Sequence, residues 1–272
     1  MIEYLKDKYY WRNVFNKLKS FLSSYDEKKI LLFGYPKSGN TWLRFLLFNY
    51  LNLLLDKNHY KTLTYEELNL LQNNIMDRAT TNIPKEGFPF FYRTHAIYKK
   101  PYDLFDFKIF VHRNPLDTLV SAYYFYRDRV VPFPNDSKDE IKNLHNIDYY
   151  VRTKFLHWKK FYEKSVNKAD YIVNYSNLKT SCFDELKSLV IFLDWNIDEE
   201  LINKSISLSS FSNIKRMSKD HSQKYGNAPK DGSFIGNFTR SGVDGQYRDE
   251  LHIDTINFVK NNFSDFSLLY KL

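Results

Sequence analysis

The sequence predicts an α/β fold: one domain with a central parallel β-sheet flanked by α-helices on both faces. Three observations carry this. Short, mostly apolar runs at residues 30–33, 90–93, 108–112 and 171–174 have the length of buried strands. Segments with apolar residues at helical spacing lie between them, and strands that alternate with helices pair in parallel through crossover connections. The 272 residues show no repeat and no linker, and suffice for one large domain spanning 1–272.

Each element follows from its local pattern. Trp11, Val14, Phe15, Leu18, Phe21 and Leu22 share one helical face, so the N-terminal segment 1–25 carries an amphipathic helix. Such a helix lies on a membrane surface or packs on its own domain, and packing is the expectation. After the strand at 30–33, Gly34, Pro36 and Gly39 punctuate a turn. From Thr41, the residues Leu43, Leu46, Leu47, Tyr50, Leu51 and Leu54 set a helix. Residues 56–87 are polar, with a short helix at 64–73 whose Thr64 and Glu67 form a capping box. Gly87-Phe88-Pro89 opens the strand at 90–93, which leads into Thr94-His95. Pro115 starts a helix that runs to about residue 129. Residues 131–146, rich in Pro, Asp, Asn and Lys, read as a long loop suited to a lid. Helices at 148–164, 183–193 and 199–206 follow, then a polar, loop-like stretch at 211–238 and a last helix at 249–261.

Composition narrows the function. Apolar residues make up 43% and charged residues 26%, so the chain is globular rather than disordered. A net charge of +8 favours anionic ligands, nucleic acid or anionic membrane surfaces without choosing among them. No Arg/Lys-rich helix speaks for nucleic acid. The single cysteine, Cys182, excludes an intrachain disulfide and fits a reducing, cytoplasmic compartment. The seven histidines lack metal-ligand spacing with Cys or acidic residues, so no metal is expected. The N-terminus lacks the apolar core of a signal peptide. The longest apolar stretch, 43–55, is interrupted by Arg44, Asn49 and Asn52 and is too short to span a bilayer.

The turn after the first strand carries the chemistry. A strand, a glycine-punctuated turn and a helix start aim several backbone N–H groups at one point, at the positive end of a helix. That is an anion site, P-loop-like in plan, to which Lys37 adds a cation and Ser38 and Thr41 add hydroxyls. It is not a Walker A loop, because the lysine precedes the glycine in Pro36-Lys37-Ser38-Gly39. Lys37, His95, Arg113 and Tyr175 each fall just after a strand, where ligands bind in parallel sheets. Arg113 and Ser121, two turns into the next helix, can hold a terminal phosphate; alternatively Arg113 pairs with Asp117 and Ser121 is inert.

The run Tyr35-Pro36-Lys37-Ser38-Gly39-Asn40-Thr41-Trp42 resembles the phosphosulfate loop of the sulfotransferases, Tyr-Pro-Lys-Ser-Gly-Thr-Thr-Trp, with Asn40 departing. Arg113-Asn114-Pro115-Leu116-Asp117 with Ser121 resembles the family's 3′-phosphate site. Arg240-Ser241-Gly242-Val243-Asp244-Gly245 resembles its Arg-Lys-Gly-x-x-Gly stretch, with Ser241 in place of Lys. Tyr175 and Ser209-Ser210-Phe211 are similar to its adenine-contacting residues, Trp42 and Phe211 then sandwiching the base. Thr94-His95 after Arg93 is similar to Lys-Thr-His, with its catalytic base.

The resemblance implies a sulfotransferase that uses 3′-phosphoadenosine 5′-phosphosulfate (PAPS). It implies His95 as general base and Lys37 on the leaving phosphate. Lys37, Ser38, Gly39, Asn40, Thr41, Trp42, Arg113, Ser121, Tyr175, Ser209, Phe211, Arg240, Ser241 and Gly242 would hold the nucleotide. His112 is the next candidate base. The acceptor is a small molecule whose site draws on loops at 84–91, 123–150 and 226–236. Phe88, Phe90, Tyr124, Phe133, Tyr149 and Phe234 there suit a phenol, alcohol or sterol. Asp136, Asp139, Glu140 and Asp148 suit a cationic amine or guanidinium, and a sugar hydroxyl is open. Two other classes compete: a P-loop kinase or NTPase, and a basic nucleic-acid binder. Oligomeric state is not encoded in any motif found.

Overall fold

The structure, a computed structural model, describes residues 2–56, 61–75, 82–128, 145–225 and 242–263, with the backbone alone for 2–8 and 221–225. Five strands, β1 (Lys29–Gly34), β2 (Asn73–Asn74), β3 (Phe90–Thr94), β4 (Phe107–His112) and β5 (Tyr171–Asn174), form one parallel sheet in the order β2-β3-β1-β4-β5.

Side chains alternate across each strand, and both faces are covered. Leu31 and Phe33 of β1 join Phe90, Tyr92 and Phe110 on one face. Three helices cover it: α1 (Ile2–Leu22) through Trp11, Leu18 and Leu22, α4 (Pro115–Arg127) through Leu116, Leu119 and Val120, and α5 (Ile147–Ser165) through Val151, Phe155 and Phe161. Ile30 and Leu32 join Phe91, Ile109, Val111 and Val173 on the other face. There α2 (Asn40–Leu55) packs with the helices Cys182–Phe192 and Glu199–Leu208. The expected α/β sandwich with helices on both faces is what the chain forms.

Local signals account for the helix starts. Thr64 Oγ1 accepts from the Glu67 N–H at 3.2 Å and Glu67 Oε2 accepts from the Thr64 N–H at 2.7 Å, starting α3 (Tyr65–Leu70). Asn114 Oδ1 accepts from the Leu116 N–H at 2.9 Å, starting α4 at Pro115. Three readings need correction. The helix expected at 64–73 ends at Leu70, and Asn73–Asn74 pairs with β3 as a fifth strand. The stretch from residue 211 is not loop at its start: Phe211–Tyr225 is a helix. Among its described side chains, Ile214 and the partly buried Met217 join the apolar core, so its apolar period is thin. The last helical segment is two pieces, Tyr247–Glu250 and Ile253–Asn262, with His252 capping the second. Of the loop expected at 131–146, residues 131–144 lie outside the described residues, and Asn146 caps α5. No described helix is long and apolar enough to cross a membrane.

The strand order places the site. From central β1 the chain passes to β2 and β3 on one side and to β4 and β5 on the other. The crevice beyond the carboxyl end of β1 is therefore the topological switch point, where open α/β sheets take ligands.

Candidate functional site

A cavity of about 490 Å³ opens at that crevice. Its floor is the turn between β1 and α2. Lys37 holds φ 69° and Gly39 φ 105°, both in the left-handed region. Glycine enters that region freely, whereas lysine there is strained, as residues at ligand sites often are. A Cβ on Gly39 would sit 2.4 Å from Tyr175 Cδ2, so the turn passes the tyrosine ring with no room for a side chain. The first N–H groups of α2, which lack intrahelical partners, lie at this turn. The Ser38 hydroxyl is buried with no hydrogen-bond partner, and Thr41 Oγ1 accepts from Arg44 Nη2 at 3.0 Å.

Lys37 Nζ lies 4.4 Å from the centre of the Phe125 ring. Burial, then the nearby Arg113, lowers its pKa to about 7. An anion in the cavity would restore the charged form. His95, just past β3, places Nδ1 2.7 Å from the Gly34 carbonyl oxygen. A carbonyl only accepts, so Nδ1 carries the proton and Nε2 is the basic nitrogen. Solvent reaches His95 through the cleft while protein encloses it elsewhere. That enclosure, followed by Arg93, Arg44 and Lys37, lowers its pKa to about 4, against the opposing pull of the Gly34 carbonyl.

Arg113 follows β4 and is buried. Its Nη2 donates to the Val243 carbonyl at 3.1 Å and to Asp244 Oδ1 at 3.3 Å, and its guanidinium lies 4.5 Å over the Tyr175 ring. The pairing with Asp117 does not occur. Asp117 instead accepts from the Gly245 N–H at 2.8 Å and the Tyr247 N–H at 3.4 Å, tying the segment after Gly242 to α4. Ser121 and Gly242 line the same cavity, and Lys179 donates to the Gly242 carbonyl. Arg240 and Ser241 lie outside the described residues.

Trp42 and Phe211 also line the cavity, with Trp42 edge-on to Tyr175 at 5.7 Å. Ser209 is fully buried. Its carbonyl accepts from Trp42 Nε1 at 3.0 Å and its hydroxyl from Asn49 Nδ2 at 2.9 Å, so it serves the cavity by holding Trp42. Lys37, Gly39, Asn40, Thr41, Trp42, His95, Arg113, Ser121, Tyr175, Phe211 and Gly242 are thus brought together. His112 is not: it is buried beside Phe110 and Tyr162, and burial lowers its pKa to about 4.

The aromatics expected around an acceptor are mostly elsewhere. Phe88, which precedes β3, joins the core on one face of the sheet, and Phe90, the first residue of β3, joins the core on the other. Tyr124 donates to Glu250, and Tyr149 is exposed. Phe133, Phe234, Asp136, Asp139 and Glu140 lie outside the described residues. Asp148 accepts from the His252 N–H at 3.0 Å and does not line the cavity. Tyr65, Phe125 and Tyr126 form the aromatic wall instead. Sequence reasoning also left Arg44 and Asn74 out of the site, although both line the cavity. For Arg44 a signal was present: a charge inside an otherwise apolar helix, one turn past the anion loop.

The sequence matches the family described as sulfotransferase domain over residues 27–268. It is 27% identical over 256 residues to sulfotransferase 1 family member D1 of Mus musculus, covering 88% of this chain and 82% of that one. Its fold is similar to the crystal structure of mouse sulfotransferase SULT7A1 complexed with PAP, with a TM-score of 0.58, 20% identity, and coverage of 93% and 92% of the two chains. It is also similar to retinol dehydratase in complex with androsterone and inactive cofactor PAP, with a TM-score of 0.58, 16% identity, and coverage of 88% and 80%.

Proposed function

Because the chain belongs to the sulfotransferase domain family, we propose that it transfers the sulfo group of PAPS to a hydroxyl or amine of a small-molecule acceptor, with His95 as general base and Lys37 on the leaving phosphate. One observation carries the residue assignments: Lys37 and His95 leave the ends of adjacent strands β1 and β3 and meet in one cavity with Arg113 and Trp42.

The residues present suit the donor. A buried hydroxyl without a partner at Ser38, a turn kept open by Gly39 and a cavity with cationic walls all favour a phosphate. In this reading the N–H groups of the turn, with Ser38, Gly39, Asn40 and Thr41, hold the 5′-phosphate. Arg113, Ser121, Arg240, Ser241 and Gly242 hold the 3′-phosphate. Trp42, Tyr175 and Phe211 hold the adenine, with Ser209 bracing Trp42. PAPS supplies the sulfo group and the bridging oxygen at which negative charge develops.

His95 takes the acceptor proton on Nε2 while the Gly34 carbonyl fixes Nδ1–H and the ring plane. The imidazolium formed sits among cations, so the donor's negative charge is what makes it tolerable. Lys37 strengthens its hold as negative charge grows on the departing oxygen, the condition for an effect on kcat. The family assignment and the single cysteine support a cytoplasmic location. In the same reading the segment 1–25 is part of this domain, which the burial of Trp11, Leu18 and Leu22 in the core supports.

The test is incubation with PAPS and a panel of phenols, alcohols and amines, read by mass spectrometry for an added sulfo group, beside binding titrations with PAP and ATP. Product formation with tight PAP and weak ATP binding is expected. Tight ATP binding without PAP binding would overturn the reading.

A further inference from the structure

Two guanidinium groups other than Arg113 reach the cavity near His95. Arg93 stands two residues before His95, paired in register with Leu32 of β1 and Asn74 of β2. It shares a side of β3 with Phe91, whose ring packs under α2. Arg44 approaches from α2 on that same side, one turn past Thr41, and is only 3% exposed. Both arginines line the cavity. Arg93 and Arg44, together with Lys37, lie close enough to His95 for its ring to feel their charges. Among the described residues lining the cavity, the charged ones are Lys37, Arg44, Arg93, Arg113 and Lys179, with no Asp or Glu.

We infer that the acceptor is anionic: a hydroxyl compound bearing a carboxylate or phosphate group, which Arg44 and Arg93 grip while its hydroxyl faces His95. The inference rests on the sulfotransferase reading above. Two guanidinium forks beside one base match the planar or tetrahedral oxygens of such groups, and cationic walls concentrate anions. A cationic acceptor would meet the same walls as repulsion. In the transfer, the acceptor oxygen bonds to sulfur as the donor's bridging S–O bond breaks. The acceptor proton passes to His95 Nε2, and the bond's electron pair leaves on the 5′-phosphate of the nucleotide product.

Four phenols of one skeleton test this: 4-hydroxyphenylacetate, 4-hydroxybenzylphosphonate, neutral tyrosol and cationic tyramine. Each is assayed with PAPS and also titrated calorimetrically into the PAP complex. The wild type is compared with Arg44→Gln, Arg93→Gln and the charge-keeping Arg44→Lys, which serves if Arg44→Gln fails to fold. The carboxylate or the phosphonate should exceed tyrosol about tenfold or more in kcat/KM and in affinity, with tyramine last. Which of the two leads identifies the anionic group. Arg93→Gln should erase that preference while PAP binding changes less than about threefold, and Arg44→Gln, which also releases Thr41, should erase it too. Equal or better use of tyrosol or tyramine would overturn the inference and leave the sulfotransferase reading standing. A comparable loss of PAP affinity in Arg93→Gln would assign Arg93 to the donor and overturn it too. If no phenol turns over, the calorimetric order decides, and an order without anion preference overturns it. Failure to bind PAP at all would fall on the sulfotransferase reading instead.

Discussion

His95 Nδ1 lies 2.7 Å from the carbonyl oxygen of Gly34, the last residue of β1. The hydrogen bond fixes the tautomer, so the nitrogen left to act as base is Nε2. His95→Ala should reduce turnover by about 10²-fold or more while PAP affinity is retained, because the base serves the acceptor and not the nucleotide. Initial rates and a PAP titration on the same preparation decide it.

The same ring sets an acidic limb. The base works only when deprotonated, so the rate falls as pH drops through its pKa. That pKa is held at about 4 in the ligand-free protein, and a bound anionic nucleotide raises it. The imidazole signals of His95, followed by NMR, should therefore titrate at higher pH with PAP than without it. An unchanged or lower titration point would show that the nucleotide does not charge the base.

Lys37, with a pKa lowered to about 7, should take up a proton when PAP binds, since the anion favours the ammonium. The sign follows: affinity should fall as pH rises from 7 towards 9, because a growing fraction of free protein holds neutral lysine. Calorimetry in buffers of different ionisation enthalpy reads the uptake directly. Lys37→Met should abolish it and cost about 10²-fold or more in kcat, with a smaller loss in PAP affinity.

Arg113→Ala should weaken PAP far more than adenosine 5′-phosphate. Loss of a charge-assisted fork in a buried setting costs about 2–3 kcal/mol, and only the nucleotide with a 3′-phosphate would feel it. Equal loss for both nucleotides would remove Arg113 from the 3′-phosphate.

Gly39→Ala should damage the turn itself. The new methyl must clear the Tyr175 ring, 2.4 Å away, and hold a φ of 105°. Left-handed backbone alone costs a non-glycine residue about 1–2 kcal/mol. Adding Tyr175→Ala should relieve the clash but not the strain, so the double variant should recover stability only in part and PAP binding hardly at all. Thermal melts and PAP titrations on the two variants separate these contributions.

Much of this protein is written in short-range pattern. The strand at Leu31 and Phe33, the turn through Gly39, the Thr64 capping box and the Asn114-Pro115 helix start depend on residues within a few positions of one another. Periodicity and backbone preference therefore reveal them. The order Lys37, His95, Arg113, Tyr175 after successive strands likewise implies one shared edge, since parallel strands all end on the same side. Tertiary contact decided the rest. Phe88 and Phe90 carry the same ring, yet each is claimed by a different face of the sheet. Asp117 lies one turn from Arg113 but binds backbone 128 residues away at Gly245. Arg44 reads in the sequence as a flaw in an apolar helix, and becomes part of the cavity only because α2 packs over β3, where Arg93 stands. Such choices depend on which distant surfaces meet, and no local run of residues encodes that.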